Sequence, residues 1–153
     1  MCTSGQRKQD DKTDHRWWAF EERAGYCRAV RSGSNTSVSS TIASVTEGSV
    51  LASLDTRQQT LAALKRALHA VTELGGTPKL LFAAGSFWRP AASCEEKAQP
   101  YREIFAGAPP ANTAHYVSAL IPQGALVEVE LDAITVDPAR EDEQPGLASI
   151  PLS

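Results

Sequence analysis

The segment from Gly124 to Val136 (GALVEVELDAITV) limits the possible folds of this chain more than any other. Apolar and acidic residues alternate with period two. In an extended strand Val127, Val129, Leu131 and Ala133 therefore share one side, and Glu128, Glu130 and Asp132 share the other. The β-branched residues favour the strand. Its apolar side needs a helix-covered core, and its acidic side must meet water or a partner subunit. Two readings of the acidic side follow: a solvated face of an antiparallel sheet, or a cleft in which one carboxylate acts as a general acid and base.

The remaining text supplies that core. Gly25 to Gly33 and Asn35 to Ala43 read as two short strands joined at Gly33-Ser34-Asn35, residue types that a tight hairpin turn demands. Thr56 to Leu74 is the clearest helix, with Leu61, Leu64, Leu68 and Val71 on one stripe. Asp55 and Gln58 form a capping-box pattern at its start, and Gly75-Gly76 and Pro78 end it. Lys79 to Trp88 is an apolar run bounded by prolines and is expected to be a buried central strand. Ser93 to Phe105 reads as a second helix capped by Ser93, with a kink or late restart expected at Pro100. Thr113 to Ala119 is expected to be a strand, and the acidic strand follows it.

The order β-β-α-β-α-β-β fits an α+β two-layer domain, one mixed sheet with two helices on a single face. Residues 1–16 are expected to form a disordered tail and 138–153 a mobile one, leaving 17–137 as the domain. Trp17, Trp18 and Phe20 read as an aromatic anchor at the start of that domain.

Composition narrows the function. A net charge of −3 gives no electrostatic footprint for nucleic acid. No apolar run approaches membrane-span length, and the N-terminus lacks the apolar core of a signal peptide. Three cysteines at wide spacing argue against a disulfide framework and for a reducing, cytoplasmic compartment. The three histidines, His15, His69 and His115, lie far apart, so no metal site is expected, and no cofactor motif is present. His69 reads as a surface residue of the first helix.

Several stretches, taken together and in order, resemble the Rid/YjgF family of reactive-intermediate deaminases, once labelled L-PSP endoribonucleases. They are Gly25-Tyr26 with Gly33, Val38-Ser39 leading to Thr41, and Asp55 with Gln59 and Leu64. Tyr101 with Phe105, Pro110-Ala111 with Thr113, and Gly124 with Val127 to Glu130 complete the set. The resemblance implies a chorismate-mutase-like subunit and a homotrimer whose subunits pack sheet to sheet. Small-molecule substrates would bind in the three inter-subunit clefts. It also implies hydrolysis of enamines or imines to a keto acid and ammonia.

Carried over by position, the water-positioning glutamate is Glu128, the pocket tyrosine Tyr26 and the polar residue of the second strand Ser39. Thr113 falls beside them in the substrate pocket. The substrate-gripping arginine is replaced by Asn112 and the asparagine of the second helix by Ala98. Ser40 and Ala114 are further departures. Asn112 offers a neutral amide where a guanidinium would offer a planar fork of charged donors. Arg28, Arg31 and Arg89 are the arginines that could replace that charge from another direction. Three functions follow: a divergent enamine or imine hydrolase, a tailoring enzyme of a secondary-metabolite pathway acting on a less charged substrate, or a non-catalytic metabolite-binding trimer.

Overall fold

The computed structural model describes residues 12–14, 19–44, 51, 55–90, 92–121 and 123–135. In chain order the elements are β1 (Lys12–Asp14), α1 (Ala19–Ala24), β2 (Ala29–Ser32), β3 (Asn35–Ile42), α2 (Thr56–Glu73), β4 (Leu81–Trp88), α3 (Cys94–Phe105), β5 (Ala111–Tyr116) and β6 (Val127–Ile134). The strands form one mixed sheet in the order β1-β2-β3-β6-β4-β5, antiparallel except for the β4–β5 pair. With α2 and α3 packed on one face, this is the expected α+β two-layer architecture. The aromatic pair Trp17-Trp18 and the segment 138–153 lie outside the described residues.

The alternation of β6 determines which side of the sheet is covered. Val127, Val129, Leu131 and Ala133 are almost wholly buried, and Ala63, Leu64, Ala67, Ala70 and Val71 of α2 pack onto them. Each buried valine or leucine among them contributes about 1.5–3 kcal/mol relative to exposure. Both halves of the capping box at Asp55 and Gln58 are present, so the start of α2 is fixed. Gln59, one residue further and fully buried, clamps the approach to β6. Its side chain donates to the Gly124 carbonyl and accepts from the Leu126 N–H at 2.9 Å.

Several local readings change, among them the strand expected over Thr113 to Ala119, which is observed as Ala111–Tyr116. Lys12–Asp14 lies within the segment read as a tail, yet it forms a short strand on the free edge of β2, where backbone pairing substitutes for an apolar pattern. Residues Pro78–Leu80 form a 3-10 turn, so β4 begins at Leu81. α3 runs through Pro100 without interruption; the ring is buried, while the residue four positions earlier, Glu96, is solvent-exposed. Cys27 is disulfide-bonded, which removes the cysteine argument for a reducing compartment, and Cys94 is free and exposed. Among the described residues no helix is long and apolar enough to cross a membrane.

Leu131 sits at the centre of the covered face, paired with Val38 on one side and Ala84 on the other. Leu131→Ala should cost about 2–5 kcal/mol of unfolding free energy. A denaturant midpoint unchanged from the parent would show that the core is not centred on β6.

Candidate functional site

The side of the sheet opposite α2 and α3 carries the acids. Glu128 pairs across β6 with Ile42 of β3 and Phe87 of β4. Its carboxyl is half-buried. Burial pushes its pKa up, Arg28 pulls it partly back, and the neighbouring Glu130 raises it again. Glu130 lies across Gly85 of β4, and its carboxylate rests over that glycine, so a side chain at 85 would have to push the exposed Glu130 side chain aside. Asp132 accepts a short hydrogen bond from Ser37 Oγ. The three acids therefore have three different environments.

Arg28 organises the end of this face next to Glu128. Its Nε and Nη2 donate to Glu21 Oε1 at 2.8 and 2.6 Å, and both side chains are nearly solvent-free. Its Nη1 donates to the Ser39 and Ser40 carbonyls and to Thr41 Oγ1 at 3.2, 2.6 and 2.9 Å. These contacts pin the irregular stretch of β3 where its register against β6 shifts between Val38 and Thr41. The Tyr26 ring lies against the guanidinium, centroid to Cζ 5.9 Å. Ser39 turns its hydroxyl inward to donate to the Cys27 carbonyl. Tyr26, Ser39 and Glu128 thus gather around one buried cation, whose carboxylate partner, Glu21, has no distinguishing signal in the sequence.

Asn112 and Ala98 belong to the other side. Asn112 pairs with Ala84, itself opposite core residue Leu131, so it faces the helix layer of edge strand β5. There it joins Tyr101, Arg102, Phe105, Pro109 and Pro110 around a groove of about 490 Å³. Burial pushes the Tyr101 phenol up. Ser86 and Asn112 lie near enough to pull it partly back, though neither meets hydrogen-bond geometry with the hydroxyl. Ala98 stands on α3 one turn before Tyr101. Thr113 pairs with Gly85, in the same cross-strand row as Glu130, on the acidic face.

Within one chain, then, Tyr26, Ser39 and Glu128 come together, Thr113 lies along the same face, and Asn112 and Ala98 are on the opposite side of the sheet. Of the arginines considered as replacements for the missing charge, Arg28 is held by Glu21, and Arg31 donates to the Gly33 and Leu74 carbonyls. Arg89 Nε is buried without a hydrogen-bond partner. Arg102, which the sequence did not single out, is the arginine that lines the Asn112 groove. Among the described residues no cluster of His, Cys, Asp and Glu is arranged to hold a metal ion.

A two-layer α+β subunit with one polar sheet face and an acid half-buried on it has the architecture of the YjgF fold. The chain belongs to the endoribonuclease L-PSP family, whose family model matches residues 18–135. Among solved structures it is similar to Rv2704, a YjgF/YER057c/UK114 family member from Mycobacterium tuberculosis. The two are 28% identical with a TM-score of 0.73, covering 82% of this chain and 99% of the other. It shares its fold with E. coli TdcF, solved with bound serine, at 19% identity and a TM-score of 0.66 over 72% of this chain and 88% of TdcF. No curated protein matches the chain by sequence.

Because the carboxyl of Glu128 holds its proton more tightly in the fold than in the open chain, folding favours its protonated form. That favourable contribution is present in acid and is lost as pH rises through the raised folded pKa. Glu128→Gln should therefore melt no lower than the parent at neutral pH, and its advantage should vanish below the ordinary carboxylate range. A neutral-pH melting temperature clearly below the parent's would show that the ionised carboxylate stabilises the fold instead.

Proposed function

We propose that this family member acts on a small molecule in clefts between subunits, hydrolysing an enamine or imine with Glu128 as the proton-transferring group. The observation that carries this reading is the half-buried carboxyl of Glu128, its pKa raised, on the acidic sheet face near Tyr26 and Arg28. A carboxyl held above its usual range is suited to give and take a proton nearer neutral pH. For an imine, Glu128 takes a proton from water as the oxygen adds to the C=N carbon and passes one to the nitrogen. The carbinolamine then collapses to a carbonyl and ammonia. An enamine enters the same sequence after protonation at carbon.

The separation of Asn112 from Glu128 supports a cleft made by more than one copy. β5 is an edge strand with every residue exposed, and the acidic face is also uncovered in the single chain. An edge strand carrying Asn112 set against the acidic face of a neighbour would bring both into one cleft, and a homotrimer closes such an arrangement. A nuclease role is disfavoured by the row of Glu128, Glu130 and Asp132, which repels a phosphate backbone. A second reading, a biosynthetic tailoring step on a neutral carbonyl compound, draws on the Asn112 groove, which is largely apolar and carries a neutral amide at the family's arginine position.

The test is ammonia release from freshly generated imines of several amino acids. Glu128→Gln should lower the rate by about 10²–10⁴ in a folded protein, the usual range for general acid–base catalysis. Near-full activity in Glu128→Gln, with loss in Glu130→Gln or Asp132→Asn, would move the role to another acid. Absence of ammonia release from every imine, with retained ligand binding, would favour the tailoring or binding roles. Light scattering should give three times the mass of the chain; a monomer across a wide concentration range would remove the cleft altogether. Asn112→Arg should raise turnover of carboxylate-bearing imines, and an unchanged rate in an intact assembly would place the limiting difference elsewhere.

A further inference from the structure

Glu21, on the six-residue helix α1, is the one buried acid among the described residues, 3% exposed. A carboxylate is seldom buried without a cation, and here the cation is Arg28, itself buried. Arginine commonly meets a carboxylate with two parallel bonds, one to each oxygen. In this pair Nε and Nη2 both donate to Oε1, and Glu21 Oε2 is buried with no hydrogen-bond partner. Burying an ion pair is often no better for stability than filling the space with apolar side chains. What the pair positions is therefore more informative than what it contributes.

The remaining nitrogen of Arg28 reaches β3. Nη1 donates to the Ser39 and Ser40 carbonyls and to Thr41 Oγ1, across the step where the register of β3 on β6 shifts. The next residue, Ile42, is the cross-strand partner of Glu128. One guanidinium thus links Glu21 to the backbone paired with Glu128. Charge follows the same path: burial raises the Glu128 pKa, Arg28 opposes that rise, and Glu130 adds to it. The cross-strand neighbours of Glu128, Ile42 and Phe87, carry no charge, and His115 of β5 lies one strand beyond, stacked on Phe87. Arg28 is also felt by Arg66 of α2. Burial lowers the Arg66 pKa, Arg28 lowers it further and Glu21 raises it, so one carboxylate serves two guanidinium groups.

We propose that Glu21 is a positioning residue for Glu128, acting through Arg28: it holds the guanidinium at the irregular stretch of β3 and takes up its charge, so that Glu128 faces a cation already paired. A guanidinium without Glu21 would instead favour Glu128 as a carboxylate and fix it in its ionised form. A group fixed in that form cannot pass a proton to a leaving nitrogen. The assignment rests on reading Glu128 as the proton-transferring group, but it is tested on the carboxyl itself, without turnover.

The full chain, labelled with carbon-13 at the glutamate carboxyls, is followed by NMR as pH is varied, and the Glu128 signal is identified by its loss in Glu128→Gln. Glu21→Gln keeps the shape of the side chain and removes its charge; Glu128 should then titrate at lower pH than in the parent. Leu64→Ala, which loosens the core without touching a charge, should leave the Glu128 titration where it is. A folded Glu21→Gln in which Glu128 titrates as in the parent, or higher, overturns the assignment, as does an equal shift in Leu64→Ala. Glu21→Gln leaves a buried guanidinium without its carboxylate and is expected to be less stable. Should it not fold, the double variant Glu21→Met/Arg28→Met removes both charges together and decides the question. With the pull of Arg28 gone, Glu128 should titrate above the parent, and an unmoved or lowered titration overturns the assignment. If the titrations fall in this order while no imine is hydrolysed, the role of Glu21 stands and the hydrolase reading falls.

Discussion

The structure depends on one strand having two incompatible sides. Along β6 every second residue is aliphatic and buried, and the residues between are three acids and the exposed Ile134. A slip of one residue in the pairing of β6 would drive three carboxylates into the layer under α2, at a cost no core of this size could offset. Register is therefore fixed by charge as much as by packing. The Gln59 clamp on Gly124 and Leu126 fixes the point at which the strand begins. Everything proposed for Glu128 follows from that register, because it sets which carboxylate stands near Arg28.

Polar groups are buried here in two contrasting ways. At the Arg28 end, the guanidinium is used on Glu21, two backbone carbonyls and a threonine hydroxyl. Such a cation shapes backbone and tunes a neighbouring acid, and has little left to grip a ligand. Under α3, Lys97 has one hydrogen bond and two ring faces, and three nearby polar atoms have no partner. Two buried cations of like charge are thus held differently, one by a carboxylate and carbonyls and the other by aromatic faces.

Much of the fold was legible because its signals are local: the period of β6, the cap at Asp55, and the Gly75-Gly76 stop after α2. β1 was not, since Lys12–Asp14 has no apolar pattern and pairs because the edge of β2 is free. For the candidate site, the sequence names residues but not the side of the sheet on which each stands. The family resemblance groups Asn112 with Glu128, yet the register of β5 on β4 and of β4 on β6 sets them on opposite faces. That parity depends on a crossover through α3, which no local stretch encodes. Lys97 carried a readable signal, a lysine in step with Tyr101 and Ile104 on the apolar stripe of a helix, that charge alone made look like solvent-facing text.

The contact between Gly85 and Glu130 has a consequence for how this chain can diverge. A side chain at position 85 would meet a carboxylate already lying over the backbone. The atoms it would meet belong to an exposed, flexible side chain, so a larger residue at 85 would turn the acid at 130 away from its present position. Thr113 extends the same cross-strand row to the edge of the sheet. The size of residue 85 and the direction in which the Glu130 carboxylate points therefore vary together, and a change at one resets the shape of the acidic face at the other.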